Sequence, residues 1–474
     1  MNTQNTNIVV YDAMMSSGKT KRIIAEMLKE HKKSQYGLFG AKKAKFIYIS
    51  PFLSEAHRIA GTTARSDTDQ RPKLNEQGKV EYLDVPQKEL NFCHPSNQNK
   101  DGSKQTGLKH LIENSANIVS THALFKELSP MNLEFAKDYT LIIDESLDVF
   151  TPDCTLTAKE VEQYIDINIL SIGEDGHTLK FHRENFGRAN KVCETVKDTT
   201  ENTRYYEFAK ACDKGLMFKN NGVVLRKFDA DILKAFKKVI IMTYNFKGSM
   251  FDLFLQQEKL EYTVEYFGKR VEDIKHLITI NENYKDNAIG EIGIGRNGKR
   301  DNKVQFLTVT HYTKARNGNK TERSDVTQVM YNRLYNLWCQ RNKVDASRRL
   351  WTCFKDDVMA ISKGTGKTNR FSNSWIPFNI RATNDYDETD HLAFLVNVFM
   401  DNRFIAFTKT NGLATSQDHY ALNILIQWIF RSAIRKGKPI DVFIPSERMR
   451  NLLKDWLDGK VITYNESKEG KDSE

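Results

Sequence analysis

Cysteine is scarce in this chain of 474 residues: Cys93, Cys154, Cys193, Cys212, Cys339 and Cys353 are scattered, and no two form a CxxC pair. A disulfide framework and a cysteine zinc site are therefore disfavoured, and reduced thiols are expected. The histidines show no HExxH spacing, which removes a common helical zinc-hydrolase pattern. No apolar run approaches the roughly 20 residues needed to span a membrane. The opening MNTQNTNIVVYD has no basic stretch followed by an apolar one, so no secretory signal is expected. The expected location is the cytoplasm, that of a host cell if the chain is viral.

What is present is ordinary for a water-soluble globular chain: 39% hydrophobic and 28% charged residues. The length exceeds one ordinary core, so two or three domains are expected. Net charge is +10 and the pI is near 9.0. A basic excess favours polyanionic partners through the long-range field, and it gains meaning where basic residues cluster near a site.

The first half alternates strands and helices. NIVVYD reads as a buried strand, AMMSSGKT as a small-residue turn, and KTKRIIAEMLKEHKK as an amphipathic helix carrying Ile23, Ile24, Met27 and Leu28. KFIYIS, ANIVST, TLIIDE and KKVIIMTY read as further strands, and LSEAHRIA and residues 108–113 as helices. Residues 62–107 read as a polar loop excursion and residues 151–235 as a helical, polar insertion, a lid or a nucleic-acid-facing subdomain. Beyond Met250, LWTCFK, WIPFNIRAT, HLAFLVNVFM and PIDVFIP read as strands, and residues 323–341, 419–436 and 446–457 as helices. Such alternation predicts an α/β fold with open parallel sheets. The expected division is residues 1–250, residues 251–464 and a disordered polar tail, 465–474.

AMMSSGKT, Ala13 to Thr20, fits the phosphate-binding loop [AG]-x4-G-K-[ST]. Small residues such as Ala13, Ser16, Ser17 and Gly18 let backbone N–H groups turn toward an anion, and the following helix aims its positive end at the same place. Lys19 is expected to bridge the β and γ phosphates of ATP, and Thr20 to place its hydroxyl on Mg2+. TLIIDES delivers Asp144 and Glu145 to the end of a strand beside that loop. Asp144 suits Mg2+ and Glu145 suits the attacking water. QWIFRSAIR puts Gln427, Arg431 and Arg435 at i, i+4 and i+8, one face of a continuous helix, from which two arginines could reach a phosphate across a cleft. A second GKT, Gly366–Thr368, has Ile361 where a phosphate loop needs glycine or alanine, and is expected to be a loop. Residues 296–323 hold eight Lys or Arg against Asp301 and Glu322. RNGK within that run suits a tight hairpin turn that could present Arg296, Lys299 and Arg300 to nucleic acid, or serve only as a solvated surface.

Taken together, these motifs resemble the superfamily 2 helicases of DEAD/DEAH-like type, in flavour the virus- or phage-encoded replication helicases, over most of the chain. AMMSSGKT resembles motif I, YISPFLSEAHRIA motif Ia, VSTHALF motif Ib, LIIDES motif II, IMTYN motif III, FNIRATNDYDETDHLAFLVN motif V and QWIFRSAIR motif VI. The resemblance implies two tandem RecA-like domains with ATP and Mg2+ between them. It implies that Lys19, Thr20, Asp144 and Glu145 bind and hydrolyse Mg-ATP, and that Thr243 couples ATP state to domain motion. Pro51, Ser120, Thr121, Asn379 and Arg381 would lie near the nucleic-acid track or cleft, and Gln427, Arg431 and Arg435 would contact nucleotide from the second domain. Motif VI normally spaces its arginines three apart, and here they are four apart, which leaves open which one is the finger. No adenine-reading Q motif is evident, so base selectivity is open. The implied partners are nucleic acid, as single-stranded or forked DNA, and other replication proteins, with no membrane, the protein being a monomer or weak oligomer. Two other readings compete. One is a DNA-packaging ATPase of the large-terminase kind, whose nuclease acids could be Asp385, Asp387, Glu388 and Asp390. The other is a non-enzymatic nucleic-acid-binding module with a relic ATPase fold, against which intact Lys19, Asp144 and Glu145 argue.

Overall fold

The computed structural model describes residues 6–36, 43–61, 86–95, 104–126, 128, 133, 135–191, 198–201, 203–220, 223–287, 306–317, 320–366, 368–379, 385–401, 404–405, 408–409, 412–413 and 415–460. Arg296, Lys299, Arg300, Arg381 and the expected tail lie outside them.

The first half opens with strands β1 (Asn7–Asp12), β2 (Lys45–Ser50), β3 (Ile118–Thr121) and β4 (Tyr139–Asp144). An inserted region follows with β5 (Phe150–Asp153), β6 (Leu170–Ile172), β7 (Leu179–Phe181), β8 (Met217–Asn220) and β9 (Val223–Lys227). The chain then returns through β10 (Lys238–Thr243) and β11 (Tyr262–Tyr266). Among the described residues, six strands form one sheet in the order β11-β1-β10-β4-β2-β3, every neighbouring pair parallel. Parallel strands covered on both faces need apolar side chains at both phases of the two-residue repeat. The sequence supplies them: Ile8, Val10, Ile47, Ile49, Leu141, Ile143, Val239 and Ile241 enter one apolar cluster. Their alternates Val9, Tyr11, Phe46, Tyr48, Ile142, Ile240 and Met242 enter another on the opposite face.

The second half is built the same way. Strands β12 (Ile278–Ile280), β13 (Arg349–Thr352), β14 (His391–Phe394) and β15 (Ile440–Phe443) form a parallel sheet in the order β12-β15-β14-β13. Leu350, Leu392, Phe394, Ile440 and Val442 face one cluster, and Trp351, Ala393 and Phe443 the other. Helices Gln417–Ile429 and Glu447–Leu457 close the first of these faces. Each such aliphatic side chain taken fully out of water contributes about 1.5–3 kcal/mol before entropy is counted. The chain is thus α/β, with two parallel sheets in tandem.

Several local expectations are corrected. Residues 151–235 are not simply helical and polar. They carry a three-stranded sheet, β5-β9-β8, antiparallel throughout, and the β6–β7 hairpin, around an apolar cluster that includes Leu156, Val161, Leu170, Leu179, Phe181, Phe208 and Met217. The helical reading missed strands of three to five residues, too short to show a period. The first sheet runs past residue 250, because β11 pairs with β1. The described part of WIPFNIRAT, residues 375–379, is not a strand. It follows a 3-10 turn at Ser372–Ser374, and Trp375 makes one isolated bridge to Trp351. In HLAFLVNVFM only the first four residues join the sheet. Residues 306–308 form a turn and Val309 starts a helix, so the segment after the expected basic hairpin is helical.

Candidate active site

All the strands of the first sheet are parallel, so their C-terminal ends share one edge, and this edge gathers the candidate residues. β1 ends at Asp12, and residues 13–18 turn into the helix Lys19–Tyr36. Ala13 N–H donates to the Thr243 carbonyl at 3.0 Å, tying the loop to the end of β10. Ser17 N–H donates to Met14 O at 3.2 Å, closing the turn. Gly18 has φ +83°, a left-handed backbone that glycine adopts without cost, and a Cβ there would meet nothing within 4 Å. Ser16 has φ +61° with a side chain, and such backbone costs of order 1–3 kcal/mol. The Lys19 ammonium is turned back onto the loop itself, donating to Ala13 O and, at 3.4 Å, to Met14 O. Thr20 is the second residue of the helix.

The acids are not on the strand next to the loop, as expected, because β10 lies between β1 and β4. Asp144 ends β4, and its carboxylate accepts the Tyr48 hydroxyl at 2.7 Å. Glu145 follows at φ +63°, held by its N–H on Met242 O at 2.9 Å. Three non-glycine residues at this edge, Ser16, Glu145 and Asn245, thus share left-handed backbone. Thr243, the last residue of β10, is buried and shares a hydrogen bond with the Ser146 hydroxyl at 2.9 Å. That bond links the acid turn to the strand that holds the loop.

The second domain reaches this edge, but not with the helical face read from the sequence. The helix stops at Ile429, and Arg435 lies in a separate 3-10 turn, Ala433–Lys436. The break comes where Ser432 leaves helical backbone (ψ −171°) and its hydroxyl donates to Ile429 O at 2.6 Å. Gln427 sits half-buried in the last helical turn. Arg431 is 4% exposed and places Nη2 3.6 Å from Glu145 Oε1. Its Nε is buried with no hydrogen-bond partner among the described residues.

The charges are mutually under-compensated. Burial pushes the Lys19 ammonium down to about 8, against the pull of Asp144, Glu145 and Asp12. Burial, followed by the charge of Arg431, lowers the Arg435 guanidinium. In the opposite sense, burial and then the charges of Glu55 and Glu145 raise Asp144 to about 7, although Tyr48 and Lys19 oppose this. Cations whose charged form burial disfavours would gain from an added anion such as a polyphosphate. A crowded carboxylate fits a cation supplied from outside. Lys19, Arg431 and the loop could thus receive phosphates, and Asp144, with Thr20 at the start of the helix, could receive a divalent cation.

Pro51 follows β2, and Ser120 and Thr121 end β3, on the same edge but beyond the acids. Ser120 is buried, and Thr121 Oγ1 accepts Leu124 N–H at 3.4 Å. Asn379 is an exposed turn residue. Three of the four acids weighed as a nuclease cluster meet basic side chains: Asp387 and Glu388 meet Lys436, Glu388 also Lys438, and Asp390 meets Arg348 and the His391 ring. Lys436 and Lys438 hold Glu388 down at about 2.

Sequence reasoning missed the supporting residues. Asp12 accepts the N–H groups of Asn245 and Phe246 at 2.7 and 2.9 Å. Asn245 Nδ2 donates to Asn423 Oδ1 of the second domain at 2.6 Å. Trp456 Nε1 donates to the Tyr244 hydroxyl at 2.9 Å. Both crossings leave from residues directly after Thr243. The signal was present in the TYN at the end of β10, but only the threonine was read.

These features can be set beside known proteins. The chain is similar to the Pyrococcus furiosus Hef helicase domain at 10% identity and a TM-score of 0.30, covering 96% of this chain and 95% of that one. It is 28% identical over 469 residues to the SPbeta prophage-derived uncharacterized protein YonV of Bacillus subtilis (strain 168), covering 96% of this chain and 99% of that protein. Residues 272–457, which contain the second sheet and its closing helices, match the family model described as the YonV C-terminal Rossmann-like domain.

Proposed function

We propose that the protein hydrolyses ATP in the cleft between its two domains and uses the cycle to move along or unwind nucleic acid, as a phage-type replication or recombination motor. The observation that carries the reading is the convergence of three independent parts at one edge. These are the loop lysine Lys19, the acids Asp144 and Glu145, and Arg431 from the other domain, in contact with Glu145. Lys19 and the loop N–H groups hold the phosphates. Glu145 orients the attacking water and accepts its proton. Arg431 leaves Glu145 to meet the charge that builds on the transferred phosphoryl group. Thr20 and Asp144 would hold Mg2+, which would supply positive charge to the terminal phosphates. Thr243, bonded to Ser146 and followed by Tyr244 and Asn245, carries the change to the second domain. The basic balance of the chain and its similarity to a prophage-derived protein support a nucleic-acid substrate in a phage setting. Phosphate release measured with and without single-stranded DNA or RNA tests the reading. Stimulation by strands supports the motor, and no turnover under either condition removes it.

The basic run gives a second test. Arg296, Lys299 and Arg300 changed together to Ala are expected to weaken strand binding and leave strand-free ATPase intact. On a single strand, the slope of log affinity against log salt should flatten by about 0.7 for each phosphate that is no longer neutralised. An unchanged slope places these residues off the track. Arg316 of the same run is already engaged, 3.0 Å from Asp356 and 3.2 Å from Asp357, and is left out of the test.

A further inference from the structure

The covalent connection between the domains lies against the phosphate loop. It runs from Tyr266, the end of β11, to Arg270, after which Val271 and Ile274 enter the apolar cluster of the second domain. Three interactions fasten it. Phe267 stands edge-on to Tyr11 of β1 at 5.7 Å between ring centres, and the Arg22 guanidinium of the loop's helix lies 4.3 Å from both rings. Lys269 N–H donates to Ser17 Oγ at 3.0 Å. Gly268, at φ +86°, approaches so closely that a Cβ there would stand 2.3 Å from the Ser17 Cβ. Only glycine permits both that backbone and that approach. In register beside Asp12, the residue from which the loop departs, Tyr266 is left 68% exposed.

Sheet order fixes which end of a nucleotide meets this segment. Asp144 and Glu145 lie on the β10–β4 side of β1, and β11 lies on the other side. The reacting phosphate has to face the acids and Arg431. The remainder of a nucleotide threaded through the loop then leaves on the β11 side, where the exposed ring stands. We propose that the Tyr266–Arg270 connection is the seat of the nucleotide's base, with the face of Tyr266 as its stacking platform. The inference rests on the nucleotide reading of the site and extends it to specificity. Every base has a π face, so a platform of this kind tolerates different bases. ATP and GTP should bind within about ten-fold of each other, less than the spread that a set of hydrogen bonds to a base edge imposes.

The test compares two probes on the full chain, ATP and inorganic tripolyphosphate, which has phosphates and no base. Tyr266→Ala should weaken ATP about ten-fold, the size of one base–aromatic stack, and leave tripolyphosphate unchanged. Tyr266→Phe should bind both as the wild type does. Lys19→Ala should lose both. If Tyr266→Ala binds ATP as tightly as the wild type while Lys19→Ala loses both probes, the site stands and the base seat is overturned. If Tyr266→Ala weakens both probes equally, the ring supports the loop rather than a base, and the proposal fails. A wild-type chain that binds neither probe removes the nucleotide reading itself, and the base seat with it.

Discussion

Arg431→Ala should keep ATP bound and lose turnover by about 10³–10⁵-fold, the range that an arginine finger contributes. The sequence left Arg431 and Arg435 equal; in the structure both feel the charge of Glu145, and Arg431 is the one with an ion pair to it. Arg431 is 4% exposed and 3.6 Å from Glu145, with a buried Nε that has no partner among the described residues. A buried guanidinium with open hydrogen-bonding capacity costs free energy at rest, and it recovers that cost only when further negative charge arrives. Charge that grows in the transition state fits that requirement, so the loss should fall on kcat and little on affinity. Arg431→Lys keeps the charge and loses the planar fork, so it should recover only part of the rate. Equilibrium ATP binding together with phosphate release checks these variants, and full turnover in both Arg431→Ala and Arg435→Ala would end the two-domain cleft reading.

Glu145→Gln should bind ATP normally and turn over about 10²–10⁴-fold more slowly, as expected when a positioned base is removed. The backbone carries the argument as much as the carboxylate does. Glu145 sits at φ +63° and is pinned to Met242 O, so its side chain leaves the strand at an angle that an ordinary strand end does not give. Strained backbone at a side chain in contact with Arg431 favours a functional placement over an accidental one. Gln keeps the shape and the hydrogen-bonding reach, so folding is preserved and the missing chemistry is isolated. Near-normal ATPase in this variant would remove Glu145 from the mechanism and return it to the role of anchor for Arg431.

Much of this was legible in the sequence wherever one residue's type dictated one local outcome. Runs such as NIVVYD and TLIIDE had to be buried parallel strands, since both phases of the repeat are apolar. The glycine, lysine and threonine after β1 had to open a helix. The sequence did not disclose the order of strands across the sheet, so Asp144 was placed one strand too near the loop. Local periodicity also continued the second-domain helix through Arg435, although Ser432 ends it with a hydrogen bond back to Ile429. Pairings between residues far apart in the chain, such as Asn245 with Asn423 or Tyr48 with Asp144, leave no periodic trace at all. The residues that shape the site were therefore less visible than those that do its chemistry.

Met14 belongs to the phosphate loop by position, yet it is 2% exposed inside the second domain's apolar cluster. Pulling the domains apart returns that thioether side chain to water, at a cost of about 1.5–3 kcal/mol if it becomes fully exposed. Newly wetted apolar surface also raises the heat capacity. Calorimetry can therefore distinguish two kinds of cycle. A nucleotide entering a cleft already shut around Met14 leaves heat capacity nearly level, whereas one that draws separated domains together drives it sharply negative. The burial of this one methionine thus reports how far the two domains separate.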